Sequence, residues 1–268
     1  GGLAAITDWV DNYPGFPKGI AGLELADGLS QQAERFGAKI EIGEVNGLKK
    51  DGKYIAVDTS EGVIRAKAVL VATGSDYKKI GVPGEKEYYA RGVHYCATCD
   101  GPFYRDKEII IVGGGNSAMQ EGLFLTKFAS HITMLVRSER LKGSEILIAK
   151  TCSKPEISIR YNTTVTGIKP QDGRGLSVSV TSQGQVEELK TDGMFIFIGM
   201  VPNTHWLHGS IDIDTNGFVT TDKTFETSMP GVFAAGDVRA GATLQLASAT
   251  GEGVTAALMI REYLKEQG

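Results

Sequence analysis

The sequence predicts an α/β protein built on buried parallel strands, and three observations predict it. Short, mainly apolar runs at 68–72, 107–112, 132–136, 194–198 and 232–235 read as strands covered on both faces. Glycine follows them, as Thr73-Gly74, Gly113-Gly114-Gly115, Gly199 and Gly236-Asp237, where a strand must turn sharply into the next element. Stretches of helical period alternate with the runs: Leu25, Leu29, Ala33 and Phe36 over 22–36, and Ala118, Gly122, Leu125 and Phe128 after the glycine triplet.

Taken in order, the helix over 22–36 stops at Gly37. Strands follow at 39–42, 54–59 and 63–66. Lys50-Asp51-Gly52 and Ser60-Glu61-Gly62 supply the turns. The run 68–72 closes this segment, and a new unit starts near Gly81-Val82-Pro83-Gly84. Strand 107–112, the glycine turn, a helix and strand 132–136 make one βαβ unit. Strands at 158–161, 164–168, 176–181 and 186–189 precede the run 194–198. A hairpin-like pair around Asn216-Gly217, the run 232–235 and a helix with Gly253, Ala257, Ile260 and Leu264 on one face end the chain. This order predicts two Rossmann-like, three-layer domains. One is discontinuous, over 1–80 and 201–268; the other is inserted at 81–200.

Charge excludes several function classes. The 28 basic and 32 acidic residues leave a net charge of −4 with no basic block, so nothing suggests nucleic acid or an anionic membrane surface. No apolar run approaches the roughly 20 residues that span a bilayer. Three cysteines, an odd number, are too few for a disulfide-stapled secreted scaffold. One C-x-x-C pair and the lone Cys152 fit a reducing compartment, so the cytoplasm is expected.

Three motifs carry chemistry. In Cys96-Ala97-Thr98-Cys99-Asp100 two thiols can close a small reducible ring, and the adjacent acid can carry the proton that exchange needs. The same spacing could be half of a zinc site. His94, His131, His205, His208 and Cys152 are not paired at ligand spacing, so no metal is expected. Gly113-Gly114-Gly115-Asn116-Ser117-Ala118 fits G-x-G-x-x-A between a strand and a helix, the context a dinucleotide pyrophosphate requires. At the end of the next strand Arg137 comes first, with Glu139, Arg140 and Lys142 after it; a cation there favours a 2′-phosphate, and hence NADPH. A solvated mixed-charge turn is the alternative for that segment. Gly236-Asp237, at a strand end, can set one carboxylate against the polyol of a flavin, and Thr73-Gly74 is a second such end.

In this order the pieces resemble the low-molecular-weight thioredoxin reductases of the pyridine nucleotide–disulfide oxidoreductases. Cys96-Ala97-Thr98-Cys99-Asp100-Gly101, the Gly113–Ala118 fingerprint and the run from Met229 to Asp237 carry the likeness, with Asp11-Asn12-Tyr13-Pro14-Gly15-Phe16 near the start. The resemblance implies thioredoxin-disulfide reductase activity, with electrons passing from NADPH through FAD to the Cys96–Cys99 disulfide and on to thioredoxin or a thioredoxin-like protein. It implies Asp100 as acid/base. It implies flavin contacts at Gly1, Gly2, Thr7, Asn12, Val45, Thr73, Gly74, Gly236, Asp237, Gln245, Leu246 and Ala247. NADPH contacts are implied at Gly113, Gly115, Asn116, Ser117, Ala118, Arg137, Lys142, Ile198 and Gly199. A homodimer is implied as well.

The sequence departs from the family pattern at three places. The first βαβ unit, with its own glycine fingerprint, is not in this sequence, so the FAD domain is read as N-terminally truncated and weak in flavin binding. A pair of adjacent arginines is here Arg137-Ser138, with Lys142 at the later arginine, which predicts a blunted preference for NADPH. Leu244 stands where the family has an arginine. A flavoprotein with another donor or partner, and a redox-sensing module without catalysis, remain as alternatives. The redox pair and the nucleotide turn, both serving one flavin, further predict a hinged rotation through 78–83 and 199–203.

Overall fold

In a computed structural model the chain forms two compact units, residues 1–76 with 200–268, and residues 77–199. The structure describes residues 2–7, 9–171, 175–207 and 209–267. The chain passes between the units through the paired strands Ser75–Tyr77 and Met200–Pro202.

Residues 77–199 form three layers. Five parallel strands stand in the order Val93–His94, Gly193–Ile196, Glu108–Val112, His131–Leu135, Ile157–Arg160. Alternation along the central strand divides the core. Ile109 and Ile111 face the helices Asn116–Leu125 and Glu145–Cys152, in a cluster with Ala118, Met119 and Leu125. Ile110 faces the other way, with Val165, Leu176, Val178 and Met194, under an antiparallel sheet of Thr163–Pro170, Leu176–Ser182 and Gln185–Thr191. Burial on both faces is why these strands read as continuous apolar runs. Each fully buried Ile or Leu side chain stabilises the unit by about 1.5–3 kcal/mol.

The other unit is built on an antiparallel sheet, Val45–Asp51, Tyr54–Thr59 and Gly62–Ala66, and a parallel pair, Val69–Val71 with Val232–Ala234. Its core holds Leu48, Ile55, Val71, Leu207, Val219, Val232 and Ala234. The 21-residue helix Leu246–Glu266 packs beside it, with Tyr263 edge-on to Phe233 at 5.8 Å. Of this helix's predicted face, Ala257 is exposed; the fully buried residue is Ala256, one position away. The expected strand over 39–42 is absent: these residues have no strand pairing, and Ile42 is 98% exposed. Alternating Ile40 and Ile42 gave a strand period, but no described strand lies beside them to bond. No helix among the described residues is long and apolar enough to cross a membrane.

Two carboxylates, Glu85 buried and Glu252 half-buried, anchor the segments that carry the motifs. Glu85 accepts from the Ile80 amide at 2.9 Å, the Gly81 amide at 2.7 Å and the Tyr95 hydroxyl at 2.7 Å. Burial opposes its ionisation, but these donors and Lys79 together hold it below the usual carboxylate range. It therefore ties the start of this unit to the residue before Cys96. In the other unit Glu252 accepts from the Gly236 amide at 2.8 Å and pairs with the Arg239 guanidinium through both oxygens. Burial again opposes the charge, and Arg239 and the amide outweigh it. This fixes the turn at Gly236-Asp237 against the final helix.

Candidate active site

The strand Val93–His94 leads to Cys96, which caps a single helical turn, Ala97–Asp100. Cys96 and Cys99 form a disulfide with their Cα atoms 5.4 Å apart. The Cys99 amide donates to Cys96 Sγ at 3.2 Å, and the Thr98 hydroxyl lies 3.3 Å from the same sulfur. Such donors favour a thiolate once the bridge opens, so Cys96 is the sulfur this turn can best hold as an anion. Both cysteines are half-buried. Cys152 is exposed and free, at the end of another helix. Among the described residues no cluster of three or more His, Cys, Asp or Glu side chains could hold a metal ion.

Asp100 follows the pair directly, with its amide bonded to the Cys96 carbonyl at 3.1 Å. No described residue donates a hydrogen bond of good geometry to its carboxylate, but His94 Nδ1 stands 3.3 Å from Oδ2. His94 is buried, and its Nε2 lies 2.7 Å from the Tyr104 hydroxyl. Burial pushes the Tyr104 phenol well above its ordinary range, with Asp100 and Asp192 adding to it. Sequence reasoning weighed His94 only as a zinc ligand and passed over Tyr104 and Glu85. A histidine two residues before C-x-x-C, with an acid directly after it, was the available signal.

The same unit carries a cleft of about 620 Å³ at the carboxyl ends of its parallel strands. Gly113, Gly114, Gly115, Asn116, Ser117, Arg137, Ser138, Lys142, Ile198 and Gly199 line it. Glu139 and Arg140 do not, and Arg137 makes no ion pair with any described residue. Ala118 lies beneath the cleft, fully buried.

The glycine turn fits a dinucleotide. Gly113 has φ +146°, and a Cβ there would run into the Phe197 carbonyl and lie 2.8 Å from Ala118 Cβ. The backbone here packs directly against Ala118 of the helix and the Phe197 carbonyl. A Cβ on Gly115 would meet nothing nearer than the Lys142 carbonyl at 3.8 Å. It would instead project into open space, where a pyrophosphate needs close backbone approach and the N-terminus of Asn116–Leu125 favours negative charge. Asn116 Oδ1 accepts from the Ser144 amide at 2.9 Å and so braces the loop after Lys142 rather than pointing a free amide oxygen at a ligand.

The predicted flavin residues belong to the other unit. Asn12 Nδ2 donates to Gln245 Oε1 at 2.9 Å, which joins two of them across 233 positions. Thr73 Oγ1 donates to the Asn203 carbonyl at 2.9 Å, and Asn203 Nδ2 returns a bond to the Thr73 carbonyl at 3.0 Å, fixing the strand end before Gly74. Leu246 and Ala247 begin the final helix, ten residues after Gly236. Asp237 is half-buried with no described donor on its carboxylate. Burial, and secondarily Glu252, hold it above its ordinary range. An acceptor left in this state fits the hydroxyls of a flavin polyol. Gly2 lies in the short helix Gly2–Ala5, and Thr7 bonds the Leu3 carbonyl at 2.8 Å. Val45 opens the strand Val45–Asp51, and neither Thr7 nor Val45 hydrogen-bonds another predicted flavin residue. Gly1 and His208 lie outside the described residues.

A parallel-sheet unit with a glycine-lined nucleotide cleft and a redox disulfide defines a dinucleotide-dependent disulfide oxidoreductase. The family model described as pyridine nucleotide-disulphide oxidoreductase matches residues 3–253. The thioredoxin reductase of Bacillus subtilis (strain 168) is 40% identical over 268 residues, covering 99% of this chain and 84% of that protein. That of Treponema pallidum (strain Nichols) is 38% identical, covering 98% and 86%. Among solved structures, thioredoxin reductase from Streptococcus pyogenes MGAS5005 aligns with a TM-score of 0.90 at 36% identity, covering 99% of this chain and 87% of that one. The chain belongs to the pyridine nucleotide-disulphide oxidoreductases, in the branch of low-molecular-weight thioredoxin reductases.

Proposed function

We propose that the protein is a thioredoxin-disulfide reductase that takes electrons from NADPH and delivers them through its Cys96–Cys99 pair. The observation that carries this reading is the formed disulfide on a turn that donates to one sulfur and sets a carboxylate beside the pair. The chemistry that bound FAD supplies is the relay of an electron pair from the nicotinamide to this disulfide.

The residues of the chain then divide the work. Gly113, Gly115, Ser117 and the helix N-terminus receive the NADPH pyrophosphate, and Arg137 and Lys142 receive the 2′-phosphate. Asn12, Thr73, Asp237 and Gln245 hold FAD. Two electrons open the Cys96–Cys99 bond. Cys96, with two donors at its sulfur, attacks the partner disulfide as a thiolate and displaces one partner sulfur, leaving a mixed disulfide. Cys99 attacks Cys96 in turn, which restores the ring and releases the partner as a dithiol. Asp100 carries the protons lost by the enzyme thiols to the departing partner thiolates.

The partner is thioredoxin or a thioredoxin-like protein, and the active form is a homodimer, as the family resemblance implies. An exposed free thiol, Cys152, in a chain that also carries a working redox pair suits the cytoplasm. Turnover of a thioredoxin disulfide by the flavin-loaded enzyme with NADPH tests the reading. Flavin reduction by NADPH without any turnover of thioredoxin would move the protein to a different partner. Reduction of thioredoxin with some other donor only would leave the disulfide chemistry standing and remove NADPH.

A further inference from the structure

We propose that His94 is a positioning residue that holds the Asp100 carboxylate for proton exchange, and that Tyr104 fixes the imidazole tautomer which does so. The inference rests on the reading of Asp100 as the acid/base group.

Three side chains form a line within residues 77–199. Asp100 Oδ2 lies 3.3 Å from His94 Nδ1, and His94 Nε2 lies 2.7 Å from the Tyr104 hydroxyl. Asp100 is half-buried beside the redox pair; His94 and Tyr104 are each 7% exposed or less. A neutral imidazole has one donor and one acceptor nitrogen. The Tyr104 phenol stays protonated, because burial, Asp100 and Asp192 all oppose its ionisation. A carboxylate can only accept, so the ring proton belongs on Nδ1, facing Asp100, and Nε2 is left to accept from the Tyr104 hydroxyl.

The imidazole is held on both sides. Its centroid lies 5.2 Å from the Phe195 ring and 5.3 Å from the Tyr104 ring, and Phe195 is fully buried in the central sheet. Tyr104 is held in turn by Gly193, where any Cβ would strike its ring, and by Lys107, 5.2 Å from the ring centre. The line therefore runs from a rigid strand to a carboxylate on a four-residue turn. Among the described residues no other side chain hydrogen-bonds or ion-pairs with the Asp100 carboxylate, so His94 is the polar side chain placed to hold it. A fixed N–H on one oxygen narrows the side-chain torsions of Asp100 and keeps the other oxygen available to the sulfurs. The contact is long, in keeping with catalytic hydrogen bonds that tighten only in the reacting complex.

The test compares His94→Asn, His94→Gln and Asp100→Asn in the flavin-loaded enzyme. An asparagine amide nitrogen replaces Nδ1, whereas a glutamine amide reaches toward Nε2. Rapid mixing reads two rates: flavin reduction by NADPH, and oxidation of the enzyme dithiol by thioredoxin disulfide. His94→Gln should slow dithiol oxidation about tenfold, and His94→Asn should restore most of it. Flavin reduction should change in neither. Equal slowing in the two variants, or slowing in neither, overturns the role of His94 while Asp100→Asn still slows exchange. No slowing in Asp100→Asn removes the acid/base reading itself. If His94→Gln does not fold, the ¹⁵N shifts of the native imidazole decide: a proton on Nδ1 is expected, and a proton on Nε2 overturns the proposal.

Discussion

The Lys142 amide donates to the Gly114 carbonyl at 2.7 Å. One hydrogen bond thus joins the loop that carries Arg137, Ser138 and Lys142 to the middle of the glycine turn. The cations are placed on the cleft that the turn opens, and a change in either segment is felt by the other.

Arg137 is exposed at the end of the strand His131–Leu135, lines the cleft and makes no ion pair with a described residue. A guanidinium can hold a 2′-phosphate through two charge-assisted hydrogen bonds, each contributing roughly 1.5–3 kcal/mol. Arg137→Ala should weaken NADPH binding at least about tenfold and leave NADH nearly unchanged. The check is the ratio of kcat/KM for the two cofactors in native and variant enzyme. Ser138, in place of a second cation, should keep the native ratio modest. A ratio near one that the substitution does not move would make Arg137 a solvated surface charge.

Gly113 and Gly115 should separate stability from binding. At Gly113 the backbone is in the left-handed region and any Cβ meets the Phe197 carbonyl, so Gly113→Ala should cost about 2–4 kcal/mol of stability. Gly115 has φ −95° and ψ −178°, which alanine adopts without strain. Gly115→Ala should leave the thermal midpoint nearly unchanged and weaken NADPH roughly tenfold, because the methyl group enters the space meant for the pyrophosphate. Thermal unfolding and NADPH titration together distinguish the two.

Much of this is legible in the sequence alone. Sheet strands buried on both faces announce themselves as apolar runs, and Gly113–Ala118 and Cys96–Asp100 are short motifs whose chemistry is local. The strand over 39–42 shows the limit: period is a property of the segment, whereas pairing needs a neighbour. His94 shows another. Its role depends on Tyr104 and on Phe195, a hundred residues away, meeting one ring, and that convergence is made by the sheet order. Glu85 was invisible for the same reason, since two of its three donors are backbone amides.

Asp237, as a proposed flavin contact, should link flavin binding to pH. Its carboxyl is held above the ordinary value, by burial first and Glu252 second. A carboxyl raised in the folded state contributes stability that is complete below the unfolded value, about 3.9, and is lost as pH rises through the folded value. The flavin-free protein therefore bears this loss at neutral pH. Asp237→Asn should raise, or at least hold, its thermal midpoint at pH 7 and flatten the dependence on pH above about 4. The same substitution should weaken retention of FAD roughly tenfold, since the amide is a poorer acceptor for the polyol. A lower midpoint together with unchanged flavin affinity would contradict this account of the residue.

The most direct test of the whole account is a pair of half-reactions in Cys96→Ser and Cys99→Ser. The disulfide lies downstream of the flavin and upstream of the partner. Rapid-mixing absorbance should show flavin reduction by NADPH at close to the native rate in both variants, and no turnover of thioredoxin disulfide in either. With Cys96 as the sulfur that attacks the partner, Cys99→Ser should also trap a mixed disulfide between Cys96 and thioredoxin. Equal loss of both half-reactions, or thioredoxin turnover that survives either substitution, would contradict the assignment of Cys96 and Cys99 as the redox centre.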